Sequence, residues 1–350
     1  MNRQNYFDAA ASCPLDSRVR EAMLPWLGEN FGNASSIHSY GRDARHAVDA
    51  SREQIATSLG LDAPEQVLFT SGATEGNNWI LRNFGEGAIS PFEHSSVLEP
   101  GLELNFAILP NRNYVVDTQG QHRLVSVVLV SNETGAVISA PNLQGALVHR
   151  DITQAVGHIP LDLEDVDFAT FGGHKLGGQL GVGVLIAKDP THLQPWVLGG
   201  GHEFGLRAGT LNVAGIVGLA KAVQLAVDEL DQRLHHFSTL RHAALDAMQG
   251  VSGWVTDPAH TRSPHILHLA FDDVQGEAIV VELDNLGFAI SSGAACGAES
   301  GKPSRTLEAL GYSAQHQKGA IRISFHPENT LDSTSKLMDA LVKVVQNLRN

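Results

Sequence analysis

Cysteine is scarce in this 350-residue chain: Cys13 and Cys296 are the only two, too few for a disulfide framework. Metal-binding signatures are missing as well. The 17 histidines are scattered, with no H-E-x-x-H pair and no C-x-x-C set, so no structural metal is expected. Basic residues are outnumbered, 24 Lys and Arg against 38 Asp and Glu. The formal charge of −14 excludes a general nucleic-acid binder, which needs clustered cations to meet phosphates. It leaves room for a basic protein partner. No apolar run is long enough to span a membrane, and Met1 to Asp8 contains no apolar signal core, so a soluble cytoplasmic protein is expected. The chain shows no internal repeat and no low-complexity linker.

What is present suits a globular enzyme-sized protein. Hydrophobic residues make up 43% and charged residues 18%, and the length exceeds what one core usually holds, so a large and a smaller domain are expected. The first two-thirds alternates strand-like and helix-like segments, which points to an α/β fold with a mostly parallel sheet. Ala44, Val48, Ile55 and Leu59 share one helical face, and Gly60 stands where a helix would end. Strands are expected at Val67–Thr70, Leu124–Ser131, Phe168–Phe171 and Gly183–Ala187, the second nearly all apolar and therefore central. One long helix is expected over Val213–Leu245. Beyond it, strands at Ile266–Phe271, Phe288–Ser291 and Ile321–Phe325 alternate with helices at Glu277–Asn285 and Ser333–Leu348, as in a separate α+β domain.

Four local patterns carry chemistry. Ser71 to Gly76 is a glycine-bearing turn between a strand and a helix, where backbone N–H groups and the helix dipole favour an anion. It matches neither the dinucleotide fingerprint nor the P-loop, so a single phosphate suits it better. Asp151 follows a β-like segment, where a buried carboxylate needs a cationic partner, although a helix cap would also use it. Lys175 lies among glycines after another strand, where desolvation would make its amine nucleophilic. Cys296, in the small-residue run Ser291 to Gly297, has the accessible setting of a reactive thiol rather than a packed one.

Taken together these segments resemble the cysteine desulfurases of the class V aminotransferase superfamily, whose cofactor is pyridoxal 5'-phosphate. The resemblance rests on Phe31–His38, Thr70–Glu75, Asn132–Gly135, Asp151–Gly157, His174 with Lys175, Gly199–Glu203, Arg207–Thr210 and Ser291–Cys296, in order over nearly the whole chain. The S-S-G-x-A-C form around Cys296 resembles the branch that serves general iron–sulfur assembly.

The resemblance implies roles position by position. Lys175 would tether the cofactor and later move the Cα proton, with Asp151 on the ring nitrogen and Gln154 on the ring hydroxyl. His94 would stack on the ring and assist proton transfer. Ala73, Thr74 and His174 would hold the phosphate, and Thr210 would reach it from a second subunit, implying a homodimer. Asn132 and Arg322 would hold the carboxylate of L-cysteine, Asn132 also lining the cofactor site. Cys296 would take the sulfur as a persulfide, alanine would leave, and the sulfur would pass to an acceptor such as an iron–sulfur scaffold protein. The implied fold is the type I fold of such enzymes, a large domain over 14–245 with a seven-stranded, mostly parallel sheet. A smaller α+β domain, 1–13 with 246–350, would carry the Cys296 loop.

The chain departs from the family in places. Gly172 stands where Ser is usual, Ala9-Ala10 where Asn-Asn or Asn-Ala is usual, Cys13 for Thr, and Gln179 with Leu180 for Pro-Lys. The connections from His94 to Asn132 and from Gly135 to Asp151 are short. A parallel crossover needs a dozen or more residues including its helix, so one or two peripheral helices are expected to be lost or reduced, exposing sheet surface that a partner protein would cover. Two other readings stay open on sequence grounds. One is a related lyase or transaminase acting on selenocysteine or cysteine sulfinate, and the other is a trimmed scaffold subunit of a sulfur-transfer assembly.

Overall fold

The structure is a computed structural model, and it describes residues 2–118, 120–141, 143, 145–256, 261–293 and 304–350. Cys296 lies outside the described residues. Nine strands lie between residues 67 and 187 among the described residues: β1 (Val67–Thr70), β2 (Ala88–Ile89), β3 (Ala107–Ile108), β4 (Asn111–Arg112), β5 (Val115–Val116), β6 (Leu124–Ser126), β7 (Leu147–Asp151), β8 (Phe168–Gly172) and β9 (Gly183–Ala187). Seven of them form one sheet in the order β1-β9-β8-β7-β6-β2-β3. Pairing is parallel from β8 through β3, and antiparallel on both sides of β9. The mostly parallel seven-stranded sheet expected from the sequence is therefore present, and β4 and β5 make a separate small hairpin.

Both faces of this sheet are covered, as parallel strands buried on two sides require. On one face lie α1 (Ser17–Met23), α2 (Ser39–Ser58) and, from later in the chain, a helix at Val213–Asp228. Val48 and Ile55 of α2 pack there with Leu219 and Val223 against Phe69, Phe171 and Val184. The other face carries α3 (Ala73–Phe84) and α4 (Ser95–Glu103), whose Trp79, Leu81 and Val97 meet Leu68, Leu124 and Leu185.

The single helix expected over Val213–Leu245 is in fact two, α5 (Val213–Asp228) and α6 (Leu230–Ala247). Glu229 breaks them at φ −97° and ψ 8°. Asp231, in the first turn of α6, meets the positive end of that helix. The Glu229 carboxylate also accepts hydrogen bonds from Arg18 and Arg233, which anchors the junction.

A second sheet, in the order β10-β11-β13-β12, is antiparallel throughout, with β10 (Trp254–Thr256), β11 (Ile266–Phe271), β12 (Ser291–Ser292) and β13 (Ala320–Ser324). Beside it run α7 (Gly276–Asn285), two short helices α8 (Arg305–Ala309) and α9 (Ala314–Lys318), and α10 (Leu331–Arg349), which starts on a capping box of Thr330 and Ser333. Phe237 and Leu240 of α6, Leu283 of α7 and Leu337 and Leu341 of α10 pack with Leu267, Leu269, Ile321 and Ile323. The strand expected at Phe288–Ser291 pairs only from Ser291, because Ala289 instead bridges to Tyr6 of the N-terminal segment.

The strand expected over Leu124–Ser131 is regular only to Ser126. Beyond it Val127 and Leu129 still donate to His149 and Asp151, while Val130 turns to bridge Val137. Among the described residues no helix joins β6 to the parallel β7. The described part of this connection thus carries no helix, and an open cavity of about 620 Å³ is lined by Leu129, Leu143, Val148, Arg150, Val166 and Lys188.

Candidate active site

The ends of three neighbouring strands meet the N-terminal segment at a cavity of about 440 Å³. Its lining includes Ala73, Thr74, His94, Asn132, Asp151, Gln154, His174, Lys175 and Arg322, nine of the residues singled out by sequence, together with Ala10, Ala11 and Ser96. Thr210 is exposed and stands apart from this lining.

Each residue arrives for a local reason. Ala73 and Thr74 open α3, where Gly72 caps the helix without a side-chain bond, so the first N–H groups face the cavity unmasked. Glu75, also in the lining, accepts from the Ser71 N–H at 2.7 Å and pairs with Arg207 at 2.9 Å. Burial pulls its carboxyl up, but the Arg207 and Ser71 bonds outweigh that and hold it below its ordinary range. His94 caps α4, and its Nδ1 accepts from the Ser96 N–H at 3.1 Å, which leaves the proton of the neutral ring on Nε2. Burial lowers its pKa despite the nearby Asp151 charge, so the ring is neutral. His174, in the tight turn after β8, is lowered to about 4, by burial first and then by Lys175 and His94.

Asp151, at the C-terminal end of β7, is 4% exposed. One carboxylate oxygen accepts from the Thr153 N–H at 2.9 Å and the other from the Asn77 amide at 2.8 Å. Both partners are neutral, and Asp151 has no cationic partner among the described residues. Asn77 is fully buried on α3 and also donates to the Ser96 hydroxyl at 2.8 Å while accepting from Thr170. His149, whose Nε2 lies 3.2 Å from Thr170 and whose Nδ1 lies 2.8 Å from Ser126, extends the chain of bonds across the sheet. Sequence reasoning missed Asn77. A polar residue at an apolar helix position was its only signal.

Lys175 Nζ donates to the carbonyls of Ala10 and Ala11 at 2.7 and 2.6 Å. Gln154 shares the Ala10 carbonyl, donating at 2.9 Å. Ala10 stood out in the sequence as a departure, yet its contribution, like that of Ala11, is backbone oxygen, which any residue supplies. Arg322, on β13 and 3% exposed, donates to the Asn132 carbonyl and to the Asp8 carboxylate, each at 2.8 Å. The second sheet and the N-terminal segment therefore complete one wall. Gly172 also has a local logic: a Cβ there would stand 3.2 Å from the His174 ring, so the imidazole already fills most of the space a side chain would need.

With this geometry in view, the comparisons with known proteins agree. The family model for class-V aminotransferases matches residues 5–337. The chain belongs to the class-V aminotransferase family. Within it, the chain is 34% identical to the cysteine desulfurase IscS of Dictyoglomus turgidum over 380 alignment positions, covering all of this chain and 96% of the relative. It is 35% identical to the putative cysteine desulfurase IscS 1 of Bacillus subtilis, covering 98% and 99%. Among solved structures, a NifS-like protein superposes with a TM-score of 0.89 at 31% identity, over 99% of this chain and all of that one. The type I fold architecture expected of this class-V member is thus supported by sequence and by shape. No helix among the described residues is long and apolar enough to cross a membrane. Nor do the described residues hold a cluster of three or more His, Cys, Asp or Glu placed for a metal ion.

Proposed function

We propose that the chain is a pyridoxal-phosphate-dependent cysteine desulfurase, with Lys175 and Asp151 at its centre. One observation carries the reading: a buried carboxylate without a cation among the described residues shares one cavity with a lysine amine and the open N-terminus of α3. The residues fit the cofactor. Asp151 suits a ring N–H⁺, the N–H groups of Ala73 and Thr74 suit a phosphate, and the Lys175 amine suits an aldehyde. When bound, pyridoxal phosphate supplies an electron sink that lets an amino acid lose its Cα proton.

The chain's own groups do the rest. Lys175 would tether the group and move the Cα proton of the substrate. His94, a neutral imidazole, would assist that transfer, while Gln154 would donate to the ring oxygen and His174 would help hold the phosphate. Arg322 and Asn132 orient the substrate carboxylate, the planar guanidinium matching it with two parallel donors. The Cys296 thiolate takes the sulfur of L-cysteine. The S–S bond would form on Cys296 as the substrate C–S bond breaks, its electron pair staying with the carbon, which takes up a proton and leaves as part of alanine. The persulfide then goes to an acceptor thiol or an iron–sulfur scaffold protein.

The rest of the reading is of one piece with this. Residues 14–245 would form the large domain and 1–13 with 246–350 the smaller one, a division supported at the N-terminal segment by the bridges Tyr6–Ala289 and Asp8–Ser324, while Phe237 and Leu240 of α6 pack into the core of the smaller domain. A homodimer in the cytoplasm is the working form, with Thr210 reaching the partner's phosphate site. Leu27, Phe31 and Ile37, at 62%, 67% and 91% exposure, and Leu198 and Phe204 are the kind of apolar surface a partner subunit covers.

The test supplies pyridoxal phosphate and L-cysteine, then measures alanine and protein-bound sulfur in wild type and Cys296→Ala. Alanine with sulfur bound at Cys296, lost in the variant, is the expected result. Full turnover in Cys296→Ala would replace this reading with a lyase.

A further inference from the structure

Behind Gln154 lies a pair of histidines that the proposed chemistry does not use. The rings of His158 and His265 stack with centroids 3.7 Å apart and planes 14° from parallel, and both side chains are buried. His265 Nε2 lies 3.1 Å from Gln154 Oε1, and its Nδ1 lies 2.6 Å from the Ser263 hydroxyl. Gln154 Oε1 can only accept, so the proton of His265 sits on Nε2, and Nδ1 takes the one hydroxyl proton of Ser263, whose oxygen also lies 3.0 Å from the His158 carbonyl. Burial drives the pKa of His265 well below its ordinary value, with His158, Arg322 and Lys175 adding to the effect, which keeps that single proton in place. His158 is lowered to about 3 by burial and Arg233, so the stack holds two neutral rings.

The carboxamide of Gln154 is thereby fixed at both ends. Its oxygen faces a donor, His265, and its nitrogen faces an acceptor, the Ala10 carbonyl. Rotating the amide by half a turn would set N–H against N–H at one end and oxygen against oxygen at the other. The second N–H of Gln154 is left for the cavity that Gln154 lines.

We propose that His265, braced by the His158 ring and the Ser263 hydroxyl, is a positioning residue that locks Gln154 as a hydrogen-bond donor toward the ring oxygen of the cofactor. The inference rests on the cofactor reading above. A ring oxygen that accepts this bond is stabilised as the anion, which sets the pH at which the cofactor's visible band changes.

The holoenzyme test compares wild type, His265→Leu and His265→Gln, the last restoring a donor where Nε2 stands. The pH midpoint of the visible band, the rate of pyridoxal phosphate release and the melting temperature are read for each. His265→Leu should raise the band's midpoint and speed release by about tenfold, the weight of one hydrogen bond to a charged atom, and His265→Gln should recover most of both. A role confined to packing would lower the melting temperature in His265→Leu while leaving midpoint and release at wild-type values, and that result would overturn the proposal. So would a His265→Gln variant that behaves like His265→Leu. If wild type itself shows no visible band that borohydride fixes at Lys175, the cofactor reading fails first, and the two failures are told apart.

Discussion

Asp151→Asn separates the cost of a buried charge from its use. In the wild-type chain the carboxylate has two neutral donors, the Thr153 N–H and the Asn77 amide. Burying a charge on neutral donors alone is unfavourable, so neutralising it without cofactor removes a penalty. The new amide has one oxygen for the Thr153 N–H, but its nitrogen then faces the Asn77 nitrogen. That donor–donor contact costs about 1–3 kcal/mol. The two effects oppose each other, so the melting temperature of the cofactor-free protein should move by no more than a few degrees. Cofactor affinity has no such offset. A hydrogen bond between charged groups is worth about 1.5–3 kcal/mol, so the dissociation constant of pyridoxal phosphate should rise by roughly ten- to a hundredfold. Equilibrium dialysis against the cofactor, with thermal melts of the apoprotein, reads both quantities. An affinity within threefold of wild type would refute the assignment of Asp151 to a ring cation. A collapse of apoprotein stability would refute the account of its neutral partners.

Other outcomes follow from the same structure. Burial raises the Glu93 carboxyl to about 8, and one of its oxygens has no hydrogen-bond partner. Between the unfolded value near 4.5 and the folded value the native state binds the extra proton, so stability falls as pH rises through this window. Glu93→Gln should flatten that fall by up to one proton's slope, about 1.4 kcal/mol per pH unit, in urea midpoints from pH 5 to 8. Glu203→Gln removes the partner of buried Arg52, 2.7 Å away, and should cost about 3–5 kcal/mol in denaturant unfolding; a loss under 1 kcal/mol would refute it. Gly157 has φ +71°, and a Cβ there would come within 2.5 Å of the Ala226 Cβ on α5. Gly157→Ala should therefore lose about 2–4 kcal/mol, and an unchanged urea midpoint would contradict this crowding.

Much of this site was legible in the sequence because its residues end strands or open helices, where short motifs fix the backbone locally. Ala73 and Thr74 at the start of α3, Asp151 at the end of β7 and Lys175 in the turn after β8 all follow from that rule. Asn77, Asp8 and the carbonyls of Ala10 and Ala11 did not, because their partners lie 74, 314 and 165 or 164 residues away. Periodicity also failed to show the break at Glu229, since apolar spacing continues across it and only the charges mark the end. Strand length was overestimated at Leu124–Ser131 for a related reason: burial sustains the apolar run beyond the point where regular pairing stops.

The route of the first 16 residues has a consequence for how the chain matures. Phe7 accepts from Ser324, Ala9 donates back to Ser324, Cys13 donates to His174 and Asp16 to Gly177, so this segment stitches the two sheets together beside the lysine. It is made before the large sheet, yet the strand it must join is made after that sheet. The large sheet can form early, but the oxygens that receive the Lys175 amine are not held in place until β13 exists. A nascent chain halted before residue 320 should therefore have most of its architecture and lack a finished pocket.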